Sequence, residues 1–207
     1  MIFNRWPIFC FLIIMISCNP LFGAYELGGN FSYNKSVYGQ ERQNKLVSRS
    51  YTGSFSIYFS ARSALEFNYS HRDDITTENN VIPVTQDISI VGSKNVVNRE
   101  VYGIGLRQFF ARRNAPVRPS LSLGYAKQFV TDETDVRLRD EFGNTAILSA
   151  GRTRRREDSV FGGFSMQFRL GQKISLDASV NTVFKAFEFN RAGDNLRYSL
   201  GLRWFFI

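Results

Sequence analysis

Residue types that often carry enzyme chemistry are scarce in this sequence. The chain has 207 residues with one histidine, His71, and two cysteines, Cys10 and Cys18. Strand alternation places His71 on an apolar face, which suits an interfacial residue better than a general base. No carboxylate pair, serine motif or metal-ligand cluster has a spacing that catalysis requires. The sequence predicts no enzyme activity, no catalytic residues, no metal site and no cofactor.

The first residues have the pattern of an export signal. A short start with Asn4 and Arg5 precedes an apolar run over residues 8–16, which is too short to span a bilayer as a helix. Small residues around position 24 suit cleavage. We expect a signal peptide over residues 1–24 and one domain over 25–207, with both cysteines removed. The alternative is a lipoprotein signal in which Cys18 is retained and lipidated.

The rest of the chain alternates apolar and polar residues with a period of two. In the first segment Tyr25, Leu27, Phe31 and Tyr33 fall on one face, and Glu26, Asn30 and Ser32 on the other. Period-two alternation predicts strands with one apolar face. The eight predicted strands cover residues 25–34, 51–59, 65–72, 102–107, 120–129, 160–169, 174–181 and 196–204.

Alternating strands also fit a soluble sandwich or barrel with its apolar face inward. Three features favour a membrane barrel. The polar faces are rich in Gly, Ser and Asn, which suit a narrow lumen. Tight turns at 60–63, 111–116 and 170–173 alternate with extended loops at 73–98 and 131–156, and the strand count is even. The predicted fold is all-β: an eight-stranded antiparallel up-and-down transmembrane β-barrel.

A membrane environment would explain both the closure of the sheet and the many aromatic residues. Hydrocarbon offers no partner to a free backbone N–H or C=O, so an open sheet edge is excluded there. Tyrosine and tryptophan concentrate at the two headgroup levels. The candidates for these two aromatic girdles are Tyr25, Tyr51, Tyr69, Tyr102, Tyr198 and Trp204. The alternative for each of them is ordinary packing within the sheet.

The last strand carries a family resemblance. Residues 196–207 alternate through Tyr198, Leu200, Leu202, Trp204 and Phe206 and end on Ile207. This ending resembles the C-terminal strand of bacterial outer-membrane barrels, although the family usually ends on the aromatic itself. The whole domain resembles small OmpA/OmpX-like, porin-like barrels without a periplasmic domain. The resemblance implies location in the cell outer membrane and recognition by the outer-membrane barrel insertion machinery.

Charges of both signs fall on the polar faces of the predicted strands. A narrow lumen forces such charges into pairs, and the resembling family fills its barrels in this way. We therefore expect a plugged barrel, with a gated channel as the alternative. The predicted lumen network consists of Glu26, Glu66, Arg72, Arg107, Arg169, Asp177, Arg197 and Arg203.

The predicted loop over residues 131–156 ends in a basic run, and its segments 135–138 and 145–149 are expected to extend the hairpin beyond the membrane. Arg152, Arg154, Arg155 and Arg156 suit contacts with lipopolysaccharide phosphates, and a solvated mixed-charge hairpin is the alternative. The net charge of +8 also suits nucleic acid, but the export signal argues against that partner. The expected partners are outer-membrane lipid and lipopolysaccharide.

The function predicted from these observations is that of an integral outer-membrane β-barrel. Its role is structural or is a surface interaction made through the extracellular loops, which are the variable part of a rigid scaffold. The alternative is a narrow channel for small solutes or hydrophobic ligands.

Overall fold

The computed structural model describes residues 24–39, 42–85, 87–185 and 196–206. Residues 1–23 of the predicted signal peptide, which include both cysteines, and Ile207 lie outside these ranges. Within them, no helix is both long and apolar enough to cross a membrane.

The described chain is built from antiparallel strands. Their alternation of apolar and small polar residues has the period of a pleated strand with two different surroundings. The strands are β1 (Tyr25–Tyr38), β2 (Asn44–Tyr58), β3 (Ser63–Glu78), β4 (Ile82–Pro83), β5 (Ile88–Phe109), β6 (Val117–Asp140), β7 (Thr145–Arg169), β8 (Ile174–Lys185) and β9 (Arg197–Phe206).

Eight of these strands close into a ring. The sheet order is β3-β2-β1-β9-β8-β7-β6-β5, and β3 also pairs with β5, so every long strand has two neighbours. The two-residue strand β4 pairs only with β5. Tyr25 pairs with Phe206, which brings the first and last strands together at the end where the short connections lie. We call this end the short-turn end and the opposite one the hairpin end. The ring confirms the predicted all-β barrel and its eight spanning strands.

The strands are longer than predicted at the hairpin end. The short turns lie where the sequence indicated, and the long connections at 73–98 and 131–156 are paired strands over most of their length, which includes the segments 135–138 and 145–149. Strand β3 runs to Glu78 and β5 begins at Ile88, while β6 and β7 are 24 and 25 residues long and meet at a tight tip. These segments contain the charged and polar residues that usually mark loops, yet pairing of β5 with β6 and of β6 with β7, interrupted by one register shift in each pair, keeps them extended. We call residues 88–97, 132–140 and 145–157 the extension.

The apolar faces point outward. Leu123, Leu106 and Tyr51 are 62%, 59% and 53% exposed, and all the predicted girdle residues are exposed as well. Aromatic rings contact each other on this surface: Tyr69 lies 5.0 Å from Tyr102, centroid to centroid. An outer surface of exposed Leu, Ile, Phe and Tyr suits lipid rather than water.

The lumen contains two small apolar clusters. At the short-turn end, Tyr58 packs between Phe109 and Phe205, with ring centroids 5.5 and 5.6 Å away. Further along, the Phe161 ring packs with Val101 and Ala126. The three glycines facing this ring are needed for it to fit, because a Cβ atom at Gly103, Gly105 or Gly124 would lie within 3.0 Å of its carbon atoms.

Candidate functional site in the barrel lumen

Ion pairs cross the middle of the lumen. Arg203 from β9 contacts Glu26 from β1 at 2.8 Å (Nη1 to Oε1) and Asp177 from β8 at 2.9 Å (Nε to Oδ1). Strand alternation puts all three side chains inward, and pairing of β9 with both β1 and β8 brings them together. Arg203 is 2% exposed, and Glu26 and Asp177 are completely buried. Such burial is tolerated because each charge has an opposite partner.

A second arginine extends the pairs across the barrel. Arg107 from β5 contacts Glu26 at 3.4 Å and Glu66 from β3 at 2.5 Å. Glu26 also accepts hydrogen bonds from the Tyr58 hydroxyl at 2.6 Å and from the Gln167 amide at 3.1 Å. One carboxylate therefore joins strands on opposite sides of the ring. We call Glu26, Glu66, Arg107, Asp177 and Arg203 the central network, and all five are buried in the lumen.

Below the central network, a buried arginine lies on aromatic rings. The Arg118 guanidinium is 3.8 Å from the centroid of Phe109 and 5.4 Å from that of Phe205, and the residue is 3% exposed. Its Nη1 donates to the Gln167 side-chain oxygen at 3.3 Å. A guanidinium over aromatic faces is attracted by the ring quadrupole, and this contact replaces part of its lost hydration.

Above the central network lies a separate arginine cluster. Arg72 and Arg99 bind the two oxygens of Asp74, at 2.6 Å and 3.3 Å. Arg197 is close enough for Arg72 and Arg99 to repel it and for Asp74 to attract it. No described group accepts a hydrogen bond from Arg197 Nε. Of the predicted lumen residues, Arg72 and Arg197 thus point inward but do not join the central network.

Between the two charged levels is a polar cavity of about 80 Å³, measured as the space open to the centres of water molecules. Serine, threonine and asparagine side chains line most of it, with Phe161 and Arg197 at its sides. Polar walls with this room suit several water molecules. The lumen therefore has wet space next to, but not through, the central network.

One predicted lumen residue lies elsewhere. The prediction that Arg169 pairs with lumen charges is wrong, because its exposed side chain donates to the backbone oxygens of Gly171 and Asn114 at the short-turn end. Residue 169 is the last of β7, and there the wall of the barrel ends. The alternation pattern assigned Arg169 to the correct face of its strand, but it did not show how far along the barrel axis the residue lies.

The predicted basic loop is part of strand β7. Arg152, Arg154, Arg155 and Arg156 are all exposed in the extension. Pairing with Thr131 and Phe129 puts Arg154 and Arg156 on the outward face, and the Arg156 guanidinium lies 5.8 Å from the Phe129 ring centroid. Arg155 points to the other face and contacts Glu157 at 3.3 Å. The strand thus divides the basic run between two faces.

The predicted lumen network omits five residues of the site: Tyr58, Asp74, Arg99, Arg118 and Gln167. All five have the inward parity of their strands, so extending the alternation past the predicted strand ends would have found most of them. His71 lies on the outward face, as the alternation predicted, and its Nε2 is 3.1 Å from Asp73 Oδ1. Across the described ranges, no group of His, Cys, Asp and Glu is arranged to hold a metal ion.

Comparisons with known proteins identify the fold. No family model and no curated protein matches the chain. Among solved structures, the N-terminal β-barrel domain of Pseudomonas aeruginosa OprF is similar, with a TM-score of 0.54 and 14% identity over 89% of this chain and 99% of that one. The outer membrane protein OprG from Pseudomonas aeruginosa matches with a TM-score of 0.53 and 10% identity, over 89% of this chain and 96% of that one.

Both similar structures come from outer-membrane barrels, and both are matched over nearly their whole length. At these identities the similarity concerns the fold. It agrees with the ring of eight long strands and with the outward apolar surface, and it confirms the resemblance that the last strand indicated. The chain has the fold of the small eight-stranded outer-membrane β-barrels.

Proposed function

We propose that this protein is an integral protein of the bacterial outer membrane, exported by a cleaved signal peptide, with a closed lumen. Its role is structural, or is a surface interaction made by the extension, and it is not an enzyme. The observation that carries the proposal is the contrast between the blocked lumen and the exposed extension. A barrel closed by buried ion pairs leaves its outer surface as the part available for partners.

The central network supports closure. A solute passing through the middle of the barrel would have to displace Arg203 from Glu26 and Asp177, and Arg107 from Glu66. Removing one partner from a buried ion pair typically costs about 3–5 kcal/mol, because the other charge remains buried and uncompensated. Spontaneous opening would therefore be rare.

Lipopolysaccharide is the partner that the charges of the extension suit. Arg154 and Arg156 face outward just above the aromatic rings that suit the headgroup level. Two guanidinium groups at that height are placed to contact phosphates of the outer leaflet. Arg155 is turned away, so we assign it no such contact.

The C-terminal strand is the segment proposed to contact the outer-membrane barrel insertion machinery. Leu200, Leu202, Trp204 and Phe206 are exposed on one face of the chain end. Strand β9 must pair with β1 to close the ring, so a factor holding β9 would control the last pairing step.

Fractionation and electrophoresis test the location and the fold. The expected result is that the protein is in the outer membrane and that its unboiled band migrates differently from its boiled band, because closed barrels resist detergent. A periplasmic protein whose two bands coincide would contradict the proposal and favour a soluble barrel.

Planar bilayer recordings distinguish the closed barrel from the channel. The polar cavity above the central network is the observation that favours a channel. We expect no steady single-channel conductance from the wild-type protein. Frequent channel openings with a single conductance would indicate a gated channel instead. These openings should then disappear in the double variant in which Met replaces Arg203 and Leu replaces Asp177.

Lipopolysaccharide binding tests the surface role. Replacing Arg154 and Arg156 by Gln should weaken binding, by about 1 kcal/mol or roughly fivefold per arginine. Replacing Arg137 and Arg139, two exposed arginines nearer the tip of the same hairpin, is the control with the same charge loss. Equal losses in both double variants would show only nonspecific attraction to net charge.

A further inference from the structure

We propose that the short-turn end of the lumen is a binding site for a small oxyanion of the phosphate or sulfate type, held by Arg113, Arg118 and Arg169. A cavity of about 440 Å³ opens there between the β5–β6 turn and the β7–β8 turn. It lies on the other side of the central network from the polar cavity. Its lining also includes Gln172, Ser175 and Phe205.

The charge of the cavity is one-sided. Three of its lining residues are arginines, and none of the described lining residues is an aspartate or glutamate. The other two charged levels of the lumen differ, because carboxylates contact their arginines directly. These carboxylates are Glu26, Glu66 and Asp177 in the central network and Asp74 in the arginine cluster above it. Positive charges gathered in a cleft with low-dielectric walls attract anions strongly.

Arg118 provides directed donors. The residue is 3% exposed, its Nη1 donates to Gln167, and no described residue accepts a hydrogen bond from its Nε or Nη2. Buried N–H groups almost always have a partner, and lacking one costs free energy. Guanidinium N–H pairs match the spacing of oxyanion oxygens, but both atoms are closed to water, so an oxyanion must move the side chains that cover Arg118 before it can accept from them.

Aromatic packing holds the arginines in place. The Arg113 and Arg118 guanidinium groups lie 4.8 and 5.4 Å from the centroid of the same Phe205 ring. Arg169 is fixed by its bonds to the backbone oxygens of Gly171 and Asn114. Side chains fixed before binding lose little rotamer entropy when a ligand arrives. The positions of Arg113 and Arg169 are thus set before binding, and the cavity is large enough for a free oxyanion with its hydration water.

Equilibrium dialysis of radiolabelled inorganic phosphate tests the site. The processed protein, extracted and purified in zwitterionic detergent at low ionic strength, should bind one phosphate per chain and release it on addition of sulfate or salt. Arg113→Gln and Arg169→Gln should each weaken binding about tenfold, as expected for loss of a charge-assisted hydrogen bond. Arg118→Lys, which keeps the charge, should also weaken it by removing the fork of donors.

Arg112→Gln is the matched control. Arg112 lies in the same turn as Arg113 but is exposed and does not line the cavity, so the variant should bind phosphate like the wild type. Absence of saturable binding, or equal weakening by Arg112→Gln and Arg113→Gln, would overturn the proposal. Displacement of phosphate by short-chain phosphatidylglycerol but not by sulfate would overturn the free-ion assignment and indicate a lipid headgroup. A heat-shifted band for each variant shows that the barrel has folded.

Discussion

The two halves of strand β7 differ although the backbone is continuous. From Ser159 to Gln167, inward residues such as Phe161 and Ser165 are buried, and Phe164 on the other face is exposed. From Thr145 to Arg156, every residue is exposed on both faces. The first half pairs with β6 and β8, whereas the second half pairs with β6 alone among the described strands.

The difference shows that the register of the strand is specified in two ways. In the barrel, ion pairs and close packing inside the lumen allow only one register, because a one-residue slip would point Gln167 at lipid and Met166 or Phe168 at Glu26. In the extension, backbone pairing, the tip turn and side-chain contacts such as the hydrogen bonds from Asn95 to Asp132 and Thr134 hold the strands. Changes inside the barrel should therefore affect stability much more than changes in the extension.

Replacing Glu26 by Ala is expected to have the largest effect. Arg203 would keep Asp177 and Arg107 would keep Glu66, but both would lose the carboxylate they share. The free energy of unfolding should fall by about 3–5 kcal/mol, as is typical when a buried ion pair loses one partner. Urea unfolding followed by electrophoretic mobility measures it. Glu133→Ala, at an exposed site in the extension, is the control, and equal midpoints for the two variants would contradict the comparison.

Gly124→Ala should have the next largest effect. Its added methyl group would lie 2.4 Å from Phe161 Cε1 and 2.3 Å from the backbone oxygen of Ile104. Overpacking of this kind typically costs about 1–3 kcal/mol. Gly53→Ala is the matched control, because nothing lies within 4 Å of a Cβ atom there. The same unfolding assay should show a loss for the first variant only. Combining Gly124→Ala with Phe161→Leu should recover part of it, and no recovery would mean that the backbone contact dominates.

Shortening the extension should barely change the barrel. Replacing residues 134–151 with Asn-Gly removes the outer part of β6 and β7 and retains the pair formed by Asp132 and Thr153. We expect a change of less than ~1 kcal/mol in unfolding free energy and an unchanged heat-shifted band, since exposed positions contribute little. Failure of the shortened chain to give the heat-shifted band would show that the extension is needed for barrel formation.

The sequence predicted the faces of the strands better than their ends. Alternation depends on the nearest surroundings of each residue, so Glu26, Arg107 and Arg203 could be assigned to the lumen. Strand ends could not be located, because the charged residues of the extension are kept extended by pairing with neighbouring strands. The partners of each lumen charge depend on which strands are neighbours in the ring. Arg72 and Glu26 share an inward parity but lie at different heights, which alternation alone does not show.

The smallest effect is expected at the tip of the extension. The backbone N–H and side-chain amide of Asn144 donate to the two Asp140 carboxylate oxygens at 2.7 and 2.8 Å, while Gly143 takes the left-handed conformation with φ of 85°. The Asn144 side-chain bond, helped by backbone donors, lowers the pKa of Asp140 below its ordinary value of 3.8.

A lowered carboxyl pKa sets the pH range in which the turn weakens. Since the folded form holds the charged carboxylate, the contribution of Asp140 is present above its ordinary pKa and is lost as the pH falls through the lower folded value. An NMR titration of the Asn144 amide should therefore have its midpoint below 3.8, and Asp140→Ala should abolish that transition. The heat-shifted band should stay unchanged across this range, because the tip makes no contact that the barrel needs. A midpoint above the ordinary value would mean that the carboxylate is not held by the turn.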